Sequence, residues 1–381
     1  MWRGMRGLMP RKTRNNTEFI FHTGTQRHGD TVFPCSSVPS VAKHMHPIQI
    51  QWHITERCNL RCTHCYQHSF DSTDPPLEML QAILQRFLEA ARTFKKPIRI
   101  TLTGGEPFLR VDFFDLLDEI ATHRQLFRIA ILTNGMLIDQ QTARRLARMG
   151  PDYVQVSLDG MKETHETLRG QGSFNPAIEG IRQLVRAGVR TLISFTASRR
   201  NAADFPAVAK LSAELGVHRI WADRWIPNCP EQQEFSLSPE ETQMFFESMQ
   251  TVRQSLRGGV ARRICGGTEV AMHRALQFLV GGGTMYHCTA GRSLVAVLPD
   301  GTLLPCRRLP IPVGNLMEQS LVELYQSSEL FRQLRETSCS ESSSCHRCVF
   351  AEGCGGGLRC LAFAMTGDPF SGDPGCWMVK R

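Results

Sequence analysis

Three cysteines fall within one eight-residue stretch, CNLRCTHC, at Cys58, Cys62 and Cys65. An odd and tight set does not suit disulfides, and a closed tetrahedral zinc site would want a fourth ligand, usually from a second CxxC-type knuckle. Three thiolates at this spacing suit three irons of a cubane [4Fe-4S] cluster, whose fourth iron stays open to a ligand. That open position is what makes a cluster a reagent instead of a wire. Eight more of the fourteen cysteines lie between residues 288 and 376: Cys288, Cys306, Cys339, Cys345, Cys348, Cys354, Cys360 and Cys376. The basic opening MWRGMRGLMPRKTRNN has neither the apolar centre nor the small-residue cleavage site of a secretory signal. A cytoplasmic setting is therefore expected, where a cysteine-rich chain points to metal or catalysis before disulfides. Zinc is the competing reading of the C-terminal CxxC knuckle. Cys35, Cys229 and Cys265 have no assigned partner and read as small buried hydrophobes.

The elements that must position these thiols follow a repeating rhythm. PIQIQWHIT is a short strand pattern, and the triplet comes directly after it. Residues 78–93 then carry apolar positions at helical spacing. Strand-like IRITLTG, FRIAILT, YVQVSLD, RTLISFT and HRIWADRW follow, each leading into a helical segment, the last of these at 238–256. Such alternation means βαβ units and a parallel sheet, in which active sites gather on the loops after strand C-termini. Six units fit an open doubly wound sheet or an incomplete barrel. The rhythm stops near residue 257, a helix is expected around 268–280, and SLVAVLPDGTLLPC reads as a β-hairpin across a Pro-Asp-Gly turn. The expected division is a basic, loosely ordered arm at 1–46, a βα domain at 47–256, a helical bridge at 257–287 and a cysteine-rich α+β domain at 288–381.

The apolar fraction of 41% allows a sizeable core, and no run of about 18 apolar residues suggests a membrane span. The net charge of +8 is spread without blocks of like charge. No aromatic-plus-basic stripe supports nucleic-acid binding, so a solvated surface is the expected role of that charge.

CNLRCTHC after the first strand, with LTGGEPFL closing the second, resembles the radical S-adenosylmethionine (SAM) superfamily. The resemblance implies a partial (β/α)6 TIM-type barrel in which the open iron is chelated by the amino and carboxylate groups of SAM. Gly104, Gly105, Glu106 and Pro107 would meet the SAM amino group, the glycines by close backbone approach and Glu106 as acceptor. Thr133 and Asn134 of TNG end the third strand. Ser157 and Asp159 are similar to positions that bind the ribose and methionyl groups, with helix capping as the alternative. His64 stands where the family prefers an aromatic residue against the adenine, and Tyr66 is its neighbouring alternative. Arg169 is open between a contact with SAM or substrate and a surface ion pair; Tyr66, Asp223 and Arg224 are expected at the barrel mouth.

The C-terminal series resembles the SPASM domain, which holds two auxiliary iron–sulfur clusters. By that resemblance Cys345, Cys348, Cys354 and Cys376 ligate one cluster, and Cys288, Cys306 and Cys360 the other. The sequence departs from the pattern between Cys354 and Cys360, where GGGLR gives five residues instead of three. The fourth ligand of the second set is open between Cys339, Cys265 and an iron left free for substrate. The implied activity is cleavage of SAM to a 5'-deoxyadenosyl radical and net oxidation of a peptide or protein, as in ribosomal peptide maturation. Cofactor or tetrapyrrole biosynthesis is the alternative. The partners implied are a flavodoxin- or ferredoxin-type electron donor and a peptide substrate, with a separate leader-peptide-binding protein as an option. A non-catalytic electron carrier is the reading from another class, and the intact GGEP argues against it, since a wire needs no SAM pocket.

Overall fold

The computed structural model describes residues 48–378, apart from His68, 258–266 and 340–342. The expected N-terminal arm, Cys35 and Cys265 lie outside the described residues. Among the described residues ten strands form one sheet in the order β10-β9-β8-β1-β2-β3-β4-β5-β6-β7, with β7 at Glu269–Ala271, β8 at Leu294–Val297, β9 at Thr302–Leu304 and β10 at Gly314–Asn315. Strands β1 (Gln49–His53), β2 (Ile98–Thr103), β3 (Phe127–Thr133), β4 (Tyr153–Ser157), β5 (Thr191–Ala197) and β6 (Arg219–Arg224) are parallel neighbours. This is the expected six-unit alternation.

Side chains alternate across a strand, so each strand has two faces of different chemistry. Ile50 and Trp52 of β1, Ile100 and Leu102 of β2, and Val154 and Val156 of β4 are buried in the core. Helix α1 (Leu77–Phe94) packs there, with the Phe87 ring edge-on to Trp52 at 5.0 Å. The alternate residues are polar: Gln49 and Gln51, Thr101 and Thr103, Gln155 and Ser157, Ser194 and Thr196, and Asp223 all line one cavity. Register keeps them level, with Gln51 beside Thr101, Ser157 beside Ser194 and Thr196 beside Asp223. A closed TIM barrel fills its interior with branched apolar side chains; this one lines it with polar groups and leaves room for a ligand.

The remaining helices of this part are α2 (Phe113–Ala121), α3 (Gln140–Met149), α4 (Lys162–Arg169), α5 (Phe174–Arg186), α6 (Phe205–Glu214) and α7 (Pro239–Arg257). The Asp139 carboxylate caps α3 by accepting from the Thr142 N–H at 2.7 Å, and Gly150 ends it in the left-handed region. Sequence reading ran directly from β4 to α5 and missed α4.

Two expectations change beyond α7. No α-helix forms around 268–280. Glu269–Ala271 is instead strand β7, laid parallel on β6 with Arg219 and Glu269 paired at 2.7 Å. The open edge of β6 offers hydrogen bonds that a lone helix would not use, and the left-handed Leu276 followed by a 3-10 turn at Gln277–Val280 ends the segment. The hairpin is present as β8 (Leu294–Val297) and β9 (Thr302–Leu304), but β8 also pairs in parallel with β1. The cysteine-rich part thus extends the barrel sheet instead of standing apart from it. Its helix Leu321–Ser327 meets α1, with the Tyr325 ring 5.9 Å from Phe94. No helix among the described residues is long and apolar enough to cross a membrane.

Candidate active site

The loop after β1 carries Cys58, Cys62 and Cys65, all half-buried. Its stem is pinned to the turn after β2, where the Gly105 N–H donates to the Thr55 carbonyl at 2.8 Å and the Glu106 N–H to the Arg57 carbonyl at 2.7 Å. A Cβ on Gly104 would stand 2.3 Å from the Thr55 oxygen, and one on Gly105 2.0 Å from the Arg57 oxygen. Gly104 also has φ +144°. The glycines of GGEP are therefore required first by the cysteine loop lying on them, a reason the sequence reading did not supply.

Glu106 and Pro107 are buried, and neither lines the cavity. Glu106 accepts from the Thr133 hydroxyl and the Asn134 N–H, both at 2.8 Å, and from the Phe108 N–H at 3.3 Å. Burial pushes its carboxyl up to about 7 against those three donors. It thus ties the turn after β2 to the TNG loop after β3. Asn134 reaches back to Asn59 of the cysteine loop at 2.7 Å, and Thr133 and Asn134 themselves line the cavity.

Asp159 is also buried and away from the cavity surface. Its carboxylate receives Arg169 Nε at 2.6 Å, the Thr196 N–H at 2.7 Å and His64 Nε2 at 3.1 Å. Burial alone would raise its pKa, but Arg169 and His64 outweigh that and hold it below the usual carboxylate range. Asp159 is a support for two residues that do face the cavity. Arg169, carried by the unanticipated α4, turns a second nitrogen to within 3.9 Å of the Cys62 sulfur. Its ion pair is internal, so the surface reading is discarded. Ser157 lines the cavity.

The cavity, about 340 Å³, touches all three cysteines of the triplet and also Cys306. Tyr66 and Asp223 line it. Arg224 does not; it forms a two-point pair with Asp373 at 2.8 and 2.6 Å, clamping the end of β6 to the C-terminal segment. A second cavity of about 350 Å³ continues outward past His64, Tyr66 and Arg308. Cys229, expected to be buried, is exposed at this outer cavity. A larger hollow of about 520 Å³ lies at the other end of the strands and touches none of the triplet.

The C-terminal thiols form two groups. Cys345, Cys348, Cys354 and Cys376 line one small apolar pocket under Phe350 and Leu279. Cys288, Cys306 and Cys360 form the other: burial, and then the neighbouring Cys306 and Cys288, raise the Cys360 thiol among other charges. Cys339 is not brought to this second group. After burial, its thiol is pushed up by Cys345 and Cys348, and its Cβ lies close to Gly356 of the GGGLR turn. Burial likewise raises the thiols of the triplet, Cys62 to about 11, so metal loading must displace protons there. Three thiols on one cavity wall beside a guanidinium, over a glycine cradle, fit a three-ligand cluster with a chelating ligand on its fourth iron.

Comparison with known proteins agrees with that geometry. The Radical SAM superfamily model matches residues 52–211, and the SPASM iron–sulfur cluster-binding domain matches 288–349. The AdoMet-dependent heme synthase of Methanosarcina barkeri is 30% identical, over 87% of this chain and 96% of its own length. The mycofactocin maturase MftC of Mycolicibacterium smegmatis is 28% identical over 87% of this chain and 82% of its own. Among solved structures, anSMEcpe with bound AdoMet has a TM-score of 0.71 at 20% identity, covering 87% of this chain and 91% of that one, a likeness of fold. The chain belongs to the radical SAM superfamily, with a [4Fe-4S] cluster, SAM and SPASM auxiliary clusters as its cofactors.

Proposed function

We propose that this radical SAM enzyme carries out a net oxidation of a tetrapyrrole-type cofactor precursor. The observation that carries the oxidation is that one cavity is lined both by Cys58, Cys62 and Cys65 and by Cys306. When bound, the cluster and SAM supply a 5'-deoxyadenosyl radical that takes one hydrogen atom from the substrate. Arg169, steadied by Asp159, holds a positive charge within 3.9 Å of the Cys62 sulfur and would serve to bind the carboxylate of SAM. The polar strand residues, among them Gln51, Thr101, Gln155 and Ser157, give hydrogen-bonding partners along the chamber. The substrate radical would then have to give up an electron and a proton, and a cluster held by Cys288, Cys306 and Cys360 would be the adjacent electron acceptor. A flavodoxin- or ferredoxin-type donor would provide the first electron.

The substrate class rests on the heme synthase matched over 96% of its length. This reverses the order of the two substrate readings drawn from the sequence. Peptide oxidation remains the second reading, favoured by the likeness to mycofactocin maturase over 82% of its length; a separate leader-peptide-binding protein belongs to that reading. The test is anaerobic reconstitution followed by SAM and dithionite, with porphyrinogen-derived and porphyrin acids as substrates. The expected result is 5'-deoxyadenosine together with a porphyrin product of lower mass or hydrogen count. Deoxyadenosine without any change in the tetrapyrroles would sink this substrate class.

A further inference from the structure

Among the described residues four arginines line the inner cavity, Arg169, Arg274, Arg307 and Arg308, and Asp223 is the only carboxylate that does. Two of the four are accounted for. Arg169 is paired with Asp159, and Arg308 meets Asp223 at 2.7 Å. The nearby Arg224 takes Asp373. Among the described residues Arg274 and Arg307 have no carboxylate within ion-pair distance, and the Nε of each is buried without a hydrogen-bond partner.

Both are nonetheless held in place. The Arg274 guanidinium lies 4.2 Å from the centre of the Trp221 ring. Arg307 lies 4.7 Å from the Tyr66 ring and donates to the Tyr66 carbonyl at 3.2 Å. Stacking on an aromatic face steadies a guanidinium and leaves its planar fork free. The histidines beside them add no further positive charge: burial, then Arg307, holds His53 neutral with a pKa of about 3, and burial with Arg274 and Arg219 holds His273 near 4. The two arginines come from opposite ends of the sheet, Arg274 just after β7 and Arg307 just after β9.

We propose that Arg274 and Arg307 are specificity residues that grip carboxylate groups of the substrate, one guanidinium from each end of the sheet. A guanidinium fork matches a carboxylate with two parallel N–H···O bonds, and a partly desolvated site makes the match selective. The proposal rests on the reading of this cavity as the substrate chamber. The competing role is to offset cluster charge, since Arg307 acts on Cys65 and Arg308 on Cys360; preference for an acid over its neutral form is what separates the two roles. The carboxylate could belong to a tetrapyrrole acid or to an acidic peptide, and the test separates them.

Equilibrium dialysis against anaerobically reconstituted protein would use four probes: coproporphyrin III, its tetramethyl ester, a pentapeptide with two glutamates and a free C-terminus, and its fully amidated counterpart. At least one acid should bind at least tenfold more tightly than its neutral form. R274Q and R307Q should each weaken that acid about tenfold, with R274K and R307K between, the loss of a charge-assisted bond. The acid should also protect both arginines from phenylglyoxal, read by peptide mass spectrometry, a readout that needs no variant should R274Q or R307Q lose iron. Porphyrin binding alone assigns the clamp to a tetrapyrrole and peptide binding alone to a peptide. Equal binding of acid and neutral forms, binding of neither acid, or full labelling of both arginines in the presence of the acid would overturn the clamp. The 5'-deoxyadenosine assay on the unaltered chain reads the radical chemistry separately, so the two ideas fail independently.

Discussion

At the scale of single residues, the site is built on contacts that the triplet alone does not reveal. Gly104 and Gly105 lie against the carbonyls of Thr55 and Arg57, so G104A or G105A should push the cysteine loop off its support. Iron should then fall from about twelve to about eight per chain, the loss of one cubane of three. Iron and sulfide assays on the reconstituted variants would check it, and full loading of either variant would refute the packing argument. Asp159 is a second case. Removing one partner of a buried pair leaves the other charged and unsatisfied, at a cost of about 3–5 kcal/mol. D159N should lower the stability of the metal-free protein by an amount of that order in anaerobic urea denaturation. An unchanged midpoint would mean that Arg169 finds another partner. The cysteine triplet was legible from its chemistry, and Thr133, Asn134 and Ser157 only from their place at strand ends and from the family resemblance; all six line the cavity. The supporting roles of Glu106 and Asp159 were not, since a carboxylate facing ligand and one buried behind the wall look alike in sequence. Arg274 gave no signal at all; its meaning comes only from which carboxylates fail to reach it.

At the scale of elements, the six βα units were readable because apolar periodicity changes from two to 3.6 at each boundary. What failed was the segment after α7, where three residues, Glu269–Ala271, complete β6. A strand that short has no period to detect, and only the unpaired edge of its neighbour explains it. The parallel pairing of β8 with β1 was hidden for a related reason: register between segments some 240 residues apart leaves no local mark. Helix α5 has a comparable long-range constraint. A Cβ at Gly180 would stand 2.0 Å from the Gly135 carbonyl, at the end of the TNG loop. G180A should therefore displace α5 from the loop that Glu106 and Asn134 organise, with destabilisation of about 1–3 kcal/mol typical of overpacking. Thermal unfolding would show a lowered midpoint together with weaker SAM binding. A lowered midpoint with unaltered SAM affinity would confine the effect to packing.

At the scale of the whole molecule, the barrel and the cysteine-rich region behave as one structure with two redox ends. Their cores are continuous, from Ile50 and Phe87 to Cys306, Leu324 and Phe331, and Arg224 locks the end of β6 to Asp373. A chain ended after Arg257 would expose the edge of β1 and lose the cover of α1, so it should aggregate where the full chain does not. Sedimentation of the two side by side would decide this, and a monodisperse fragment would show the barrel to be self-sufficient. The same unity makes a functional prediction. Cys306 lines the cavity beside the triplet and also acts, with Cys288, on Cys360, the three thiols proposed to hold an auxiliary cluster. If that set takes the second electron, C306A should lose about four irons and should depress substrate oxidation far more than 5'-deoxyadenosine formation. The ratio of product to deoxyadenosine, measured in single-turnover reactions, is the quantity to follow, because it is insensitive to the fraction of active protein. A ratio that stays at the value of the unaltered chain would mean that the electron leaves by another route, and that Cys306 shapes the cavity without serving its redox chemistry.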